Sequence, residues 1–194
     1  KEKDLSVCTA SDLVALKVVT METKHVLESE HQSLQSHFRD CGCGLLASPL
    51  SEIAETERLC GYLLAPVGLG SVTRVMAISK PNKLLFLKQI GNALRLLHNH
   101  PGGPIIHGDA RISNLIVSTG DEPQLFWVDL MQARVANGLS ISSFKHDVVD
   151  LVTSLLPSGV DRCAELDSSL QAYSVSPSQE LMDKVMDCVY HGMS

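Results

Sequence analysis

The sequence predicts an α+β chain in two unequal parts, a small strand-and-helix region over 1–68 and a mainly helical region over 69–194. Three observations predict it. A β-branched run, LVALKVVT at 13–20, is followed by an amphipathic stretch at 22–38. A long apolar-striped segment spans about 82–99. Two short apolar runs then flank a turn-rich segment, before a largely helical remainder.

Each element has its own signal. In 13–20, alternation sets Leu13, Ala15, Lys17 and Val19 on one face. In 22–38, Leu27, His31, Leu34 and Phe38 recur at helical spacing. The segment 39–60 reads as irregular, with CGCG, a Ser-Pro and an acidic stretch. Tyr62-Leu-Leu-Ala65 reads as a strand that runs into a connector, Pro66-Val-Gly-Leu-Gly70. Leu87, Ile90, Leu94 and Leu97 form one stripe of the helix at 82–99, which His-Asn-His-Pro-Gly-Gly ends. Leu115-Ile-Val117 and Leu125-Phe-Trp-Val128, joined by Ser-Thr-Gly-Asp-Glu-Pro, predict an antiparallel hairpin. Residues 144–156 and about 177–191 read as helices.

Composition narrows the function classes. Hydrophobic residues make up 44% of the 194, enough for a sizeable core. The net charge of −6 and the lack of a basic run argue against nucleic acid or an anionic membrane as partner. No apolar stretch is long enough to span a bilayer, and the polar start at Lys1 is not signal-like. An intracellular protein is the expectation. Six cysteines include only one close pair, Cys41-Gly-Cys43, with no second pair at zinc spacing, which fits reduced thiols.

The hairpin carries the chemistry. Asn114 opens its first strand and Asp129 closes its second, so antiparallel pairing sets the two side by side. Asp109 precedes Asn114 by five residues, beside His107 and Arg111. Two carboxylates and a carboxamide at one edge are oxygen ligands suited to Mg²⁺. Taken alone, D-x-x-x-x-N also fits a polar loop whose Asp and Asn cap turns.

The segment His107-Gly-Asp-Ala-Arg-Ile-Ser-Asn114, with Asp129 at the strand end, resembles the catalytic loop of the protein-kinase-like superfamily. The likeness runs from about Val7 to the helix containing Asp147. It implies a two-lobed fold: a reduced amino-terminal lobe of antiparallel sheet plus one helix, and a helical carboxy-terminal lobe. By that resemblance Asp109 is the base toward a substrate hydroxyl, Asn114 and Asp129 hold Mg²⁺, and Arg111 faces the transferred phosphate. Val14-Ala-Leu-Lys17 resembles the strand whose Lys meets the phosphates of ATP, with Ala15 against the nucleotide. The partner Glu comes from the following helix. At about 100° per residue Glu30 lies roughly 60° from the apolar stripe, whereas Glu28 lies about 100° to its other side. Glu30 is therefore the expected partner of Lys17. Tyr62-Leu-Leu-Ala-Pro-Val-Gly68 resembles the adenine hinge, with Leu64 as gatekeeper, the Ala65 carbonyl accepting and the Val67 N–H donating. Asp147 resembles the buried helix Asp that braces the catalytic-loop backbone.

Four departures qualify the likeness. No Gly-rich phosphate loop is present, and Val7-Cys-Thr-Ala10 resembles the stretch directly after such a loop, so the chain is expected to start just past it. Asp129-Leu-Met131 stands for Asp-Phe-Gly, which removes a glycine's freedom. Gly108 replaces the Arg that pairs with a phosphorylated activation loop, so no such switch is expected. Only 17 residues separate Asp129 from Asp147, with no Ala-Pro-Glu, so the peptide platform is short. With HGDAR-x-x-N and small size, these features resemble the kinase-type domains of crinkler effectors of oomycetes and chytrid fungi. That likeness implies a secreted protein acting inside a host cell, including its nucleus.

The leading expectation is Mg²⁺-dependent transfer from ATP to protein Ser/Thr, autophosphorylation included. Two alternatives stand beside it. A small-molecule kinase of the aminoglycoside or choline type shares His-Gly-Asp, although the chain after Asp147 is short for its substrate subdomain. A pseudokinase binding module would explain the missing Gly loop, but has no need of Asp109 and Asn114 together.

Overall fold

The first β-branched run forms β1 (Ala15–Thr20). The computed structural model describes residues 15–36, 46–65, 68–73, 82–118, 124–136, 142–156, 159 and 162–193. Val7–Ala10, Leu13, Val14, Phe38, the Cys41/Cys43 pair, Val67 and most of the 118–123 turn lie outside those residues.

The architecture is α+β, with small antiparallel sheets and, among the described residues, five α-helices. In the first sheet β4 (Leu59–Ala65) pairs with β1 on one edge; on the other it pairs in turn with β2 (Ser48–Pro49) and β3 (Ala54–Glu55). The register sets Ala15 opposite Leu64 and Lys17 opposite Tyr62. Lys17 and Val19 are half-buried, while Leu16 and Val18 face outward and are exposed. Alternation in β1 thus separates the faces, as a half-buried strand should. A 3-10 turn (Met21–Thr23) leads into α1 (Lys24–Ser36), which buries Leu27, Glu30, His31 and Leu34.

The helix expected at 82–99 is α2 (Lys83–His98), and Leu87, Ile90, Leu94 and Leu97 are fully buried on it. Asn82 caps it, its side-chain oxygen accepting from Leu85 N at 3.3 Å. The hairpin forms as β7 (Leu115–Ser118) and β8 (Leu125–Trp127), paired Leu115 to Trp127. Trp127 is buried, and its indole N–H donates to the Ala93 carbonyl of α2 at 3.2 Å, which seats the hairpin on the helix. The remainder is α3 (Ser142–Leu155), α4 (Ala164–Val175) and α5 (Gln179–Gly192).

Several elements differ from the sequence reading, the short strands β2 and β3 within the segment expected to be irregular among them. The expected connector after Pro66 contains β5 (Gly68–Ser71), an outer strand on β7. Gly-Leu-Gly-Ser has no β propensity of its own, and the strand exists because β7 offers it an edge. β6 (Ile105–Ile106) and β9 (Arg134–Val135) form a two-residue ladder too short to leave a pattern. Helix α4 was not expected, although Leu166, Leu170 and Tyr173 recur at helical spacing and are its buried residues. Its cap is a thiol, Cys163, in place of Ser, Thr, Asp or Asn, so the usual start signal is missing. Among the described residues, no helix is long and apolar enough to cross a membrane.

Candidate active site

Two clusters of polar side chains meet where the hairpin ends. The first forms around Lys17. Its ammonium lies 2.7 Å from one Glu30 oxygen and donates to the other at 3.0 Å; it also reaches Asp129 Oδ1 at 3.0 Å. Glu30 Oε1 accepts in addition from Leu130 N at 2.9 Å. Glu30 thus ties β1 to the chain directly after Asp129, more than a hundred positions along the sequence. Glu28 does not meet Lys17. It is exposed and pairs with Lys24. The side chains of Lys17 and Glu30 are 21% and 2% exposed, so the pair is mostly dry on the Glu side.

Asp129 adopts φ 60, ψ 57, the left-handed region that Asp tolerates better than most residues. It is the only described non-glycine residue with positive φ. The conformation is held by the Lys17 bond on its side chain and by the Glu30 bond on the next amide.

The second cluster is the loop between β6 and β7. Asp109 Oδ1 takes Arg111 Nε at 2.8 Å, and Asp109 Oδ2 accepts from Asn114 Nδ2 at 3.0 Å. The same Asn114 amide donates to the Asp109 carbonyl at 3.0 Å. The Asn114 nitrogen is therefore committed to the loop, which leaves the carboxamide oxygen as the atom for a cation. Arg111 is largely exposed, 62% on its side chain, and free to change partner. Ala15 and Leu64 sit opposite each other on β1 and β4, and Ala65 closes β4.

The clusters are joined through backbone. Val128 N donates to the Asn114 carbonyl at 2.9 Å, next to Asp129. His107 Nε2 bonds the Val128 carbonyl at 3.2 Å, and Asp109 N donates to His107 Nδ1 at 3.3 Å. A carbonyl only accepts, so Nε2 carries the hydrogen and the ring is neutral. Burial holds the His107 imidazole below its ordinary range, with Asp147 and other acids opposing. The loop itself hangs from α3. Asp147, fully buried, accepts from His107 N at 2.7 Å and Gly108 N at 2.8 Å. Ser154 Oγ accepts from Ile112 N at 2.9 Å.

Gly108 has φ +82, and a Cβ there would lie 2.7 Å from Gln132 Cβ and 2.8 Å from Gln132 O. The positive φ and the Gln132 backbone therefore both favour glycine at this position.

Several groups escaped sequence reasoning. His98, in the last turn of α2, bonds Asp147 Oδ2 through Nε2 at 3.1 Å, yet the sequence around it reads only as a helix end. Asp150 of α3 faces the same loop, and desolvation raises its carboxyl while Arg111 opposes that. Tyr62 is buried with its hydroxyl near Glu30, short of hydrogen-bond geometry to any described residue. Burial, then the Glu30 charge, pushes that phenol above its usual range.

No family model matches the chain, and no curated protein matches it. Geometry alone bears on what the site does. It offers one lysine between two carboxylates, and a carboxylate held by an arginine and a carboxamide. Among the described residues no cluster of three His, Cys, Asp or Glu could hold a metal by itself. An ion here would take few protein oxygens and complete its shell with water and phosphate, which is the habit of Mg²⁺.

Proposed function

We propose that the chain is a protein-kinase-like, Mg²⁺-dependent ATP phosphotransferase acting on Ser/Thr hydroxyls of protein, with Asp109 as catalytic base. The observation that carries the proposal is the Lys17–Glu30–Asp129 triangle, in which two carboxylates from separate segments converge on one ammonium. A lysine held between a buried Glu and a strand-end Asp is placed to exchange the latter for nucleotide phosphates. On this reading β1–β4 and α1 form the small lobe, and ATP lies between it and the helical part.

Each residue then has a task. Lys17, oriented by Glu30, meets the α- and β-phosphates. Ala15 and Leu64 bound the adenine, with the Ala65 carbonyl as acceptor; the expected donor, Val67, lies outside the described residues. Asp129 and the Asn114 carboxamide oxygen would hold Mg²⁺, which supplies neutralisation of phosphate charge. Asp109 accepts the proton of the acceptor hydroxyl as its oxygen attacks the γ-phosphorus and the bond to ADP breaks. Arg111, exposed and paired with Asp109, moves onto the transferred phosphate and so frees one Asp109 oxygen for the hydroxyl.

The test is transfer from γ-labelled ATP with Mg²⁺ to generic protein substrates, with small alcohols and amino alcohols as parallel acceptors. Label in protein, reduced at least about 10²- to 10³-fold in Asp109→Ala, is the expected result. Label in a small alcohol instead would move the acceptor class. Equal labelling by Asp109→Ala would overturn the assignment of the base.

A further inference from the structure

A buried polar chain runs behind the catalytic loop, and its far end has no part in the chemistry above. Tyr173 of α4 is fully buried, and its hydroxyl lies 2.9 Å from Nδ1 of His98. His98, 2% exposed, reaches Asp147 Oδ2 through Nε2 at 3.1 Å. Asp147 in turn holds the amides of His107 and Gly108, the two residues before Asp109. Three helices, α2, α3 and α4, thus contribute one side chain each to a line ending at the catalytic loop.

For a neutral His98 ring, proton counting gives each bond a direction. The Asp147 carboxylate only accepts, so His98 Nε2 must carry a hydrogen. A neutral ring then has a bare Nδ1, which can only accept, and among the described residues its partner is the Tyr173 O–H. Desolvation raises the Tyr173 phenol, consistent with a hydroxyl that keeps its proton. Phe144 packs against the ring, centroids 4.7 Å apart, and supplies no polar alternative.

We propose that Tyr173 is a positioning residue for the phosphotransfer loop: its hydroxyl donates to His98 Nδ1, fixes the Nε2–H tautomer, and so keeps Asp147 gripping the His107 and Gly108 amides. The catalytic consequence rests on the phosphotransferase reading; the tautomer and the amide grip do not. Loss of the hydroxyl leaves Nδ1 buried without a donor, and the ring relieves this by moving its proton to Nδ1 or by turning. Either response withdraws a donor from Asp147 and loosens the loop.

The experiment reads both levels. In the wild-type protein, a long-range proton–nitrogen spectrum should show His98 with Nε2 protonated and Nδ1 bare and hydrogen-bonded. A ring protonated on Nδ1 would overturn the proposal whether or not any variant folds. In Tyr173→Phe, the His98 signals should change tautomer or broaden, and the His107 and Gly108 amides should exchange with solvent roughly tenfold faster or more. With transfer measured in parallel, kcat should fall about 10- to 100-fold with the KM for ATP unchanged. Unchanged histidine signals and amide exchange in a folded Tyr173→Phe would also overturn it. Absence of any transfer by wild type, with the spectral changes present, would instead count against the phosphotransferase reading alone.

Discussion

The two ends of the candidate site are held in different ways. Behind the Asp109 loop, Asp147, His98, His107 and Tyr173 are all buried and joined by hydrogen bonds from three helices. At the sheet, Lys17 projects from a strand whose outer face, Leu16 and Val18, is exposed; its cross-connection is the pair of bonds to Glu30 and Asp129. One end is built into the core. The other is attached to it through one lysine and its two carboxylate partners. Such a division suits a site in which the base and cation ligands stay fixed, while the lysine exchanges a carboxylate for the phosphates of an arriving nucleotide.

Breaking the built-in end should have the largest effect. Asp147→Ala strands the buried donors of His107, Gly108 and His98, and should cost roughly 3 kcal/mol or more in denaturant unfolding. A loss under about 1 kcal/mol would mean the loop does not depend on this carboxylate.

The attached end should respond less. Among the described residues, Lys17→Met leaves the buried Glu30 with the Leu130 amide alone, at a cost of about 1–2 kcal/mol in the same assay. Stabilisation of the protein by ATP and Mg²⁺, read as a rise in Tm, should vanish in this variant. A Tm rise equal to wild type would remove Lys17 from the nucleotide site.

A pH series sharpens the contrast further. His107 is held neutral by burial, so its folded pKa lies below its unfolded one. The unfolded chain therefore binds the proton first. Its contribution to stability is complete above about pH 6.5 and is lost as the pH falls below that value. Urea midpoints should drop from pH 7 to pH 5, and less steeply in His107→Gln. Parallel pH curves for the two proteins would contradict the neutral buried ring. The smallest effect belongs to the outer sheet face, where Val18→Thr should stay within about 0.5 kcal/mol of wild type.

The sequence displays one part of this organisation and conceals another. Helix α2, the hairpin and the inward position of Lys17 on β1 follow from spacing, because each element buries one regular face. The pairing of Lys17 with Glu30 in place of Glu28 was legible from helical angle together with the family resemblance that calls for a partner Glu. The convergence of Asp109 and Asn114 was legible from loop length before a hairpin. The His98–Tyr173 link was not, since it joins residues 75 positions apart through a helix with no ordinary cap. Nor was β5, whose glycines carry no strand signal and whose partner lies far along the chain. Local patterns show which face is buried. Contacts between distant buried polar atoms leave no periodic trace.

The central claim is that Lys17 and Asp129, 112 positions apart in the sequence, serve one nucleotide. Calorimetric titration of ATP in the presence and absence of Mg²⁺ tests it most directly, with wild type, Lys17→Met and Asp129→Ala compared. The expected result is Mg²⁺-dependent binding by wild type, weakened at least roughly tenfold in Lys17→Met and no longer responsive to Mg²⁺ in Asp129→Ala. Binding of equal strength and equal Mg²⁺ dependence in all three proteins would contradict it, as would no binding by wild type.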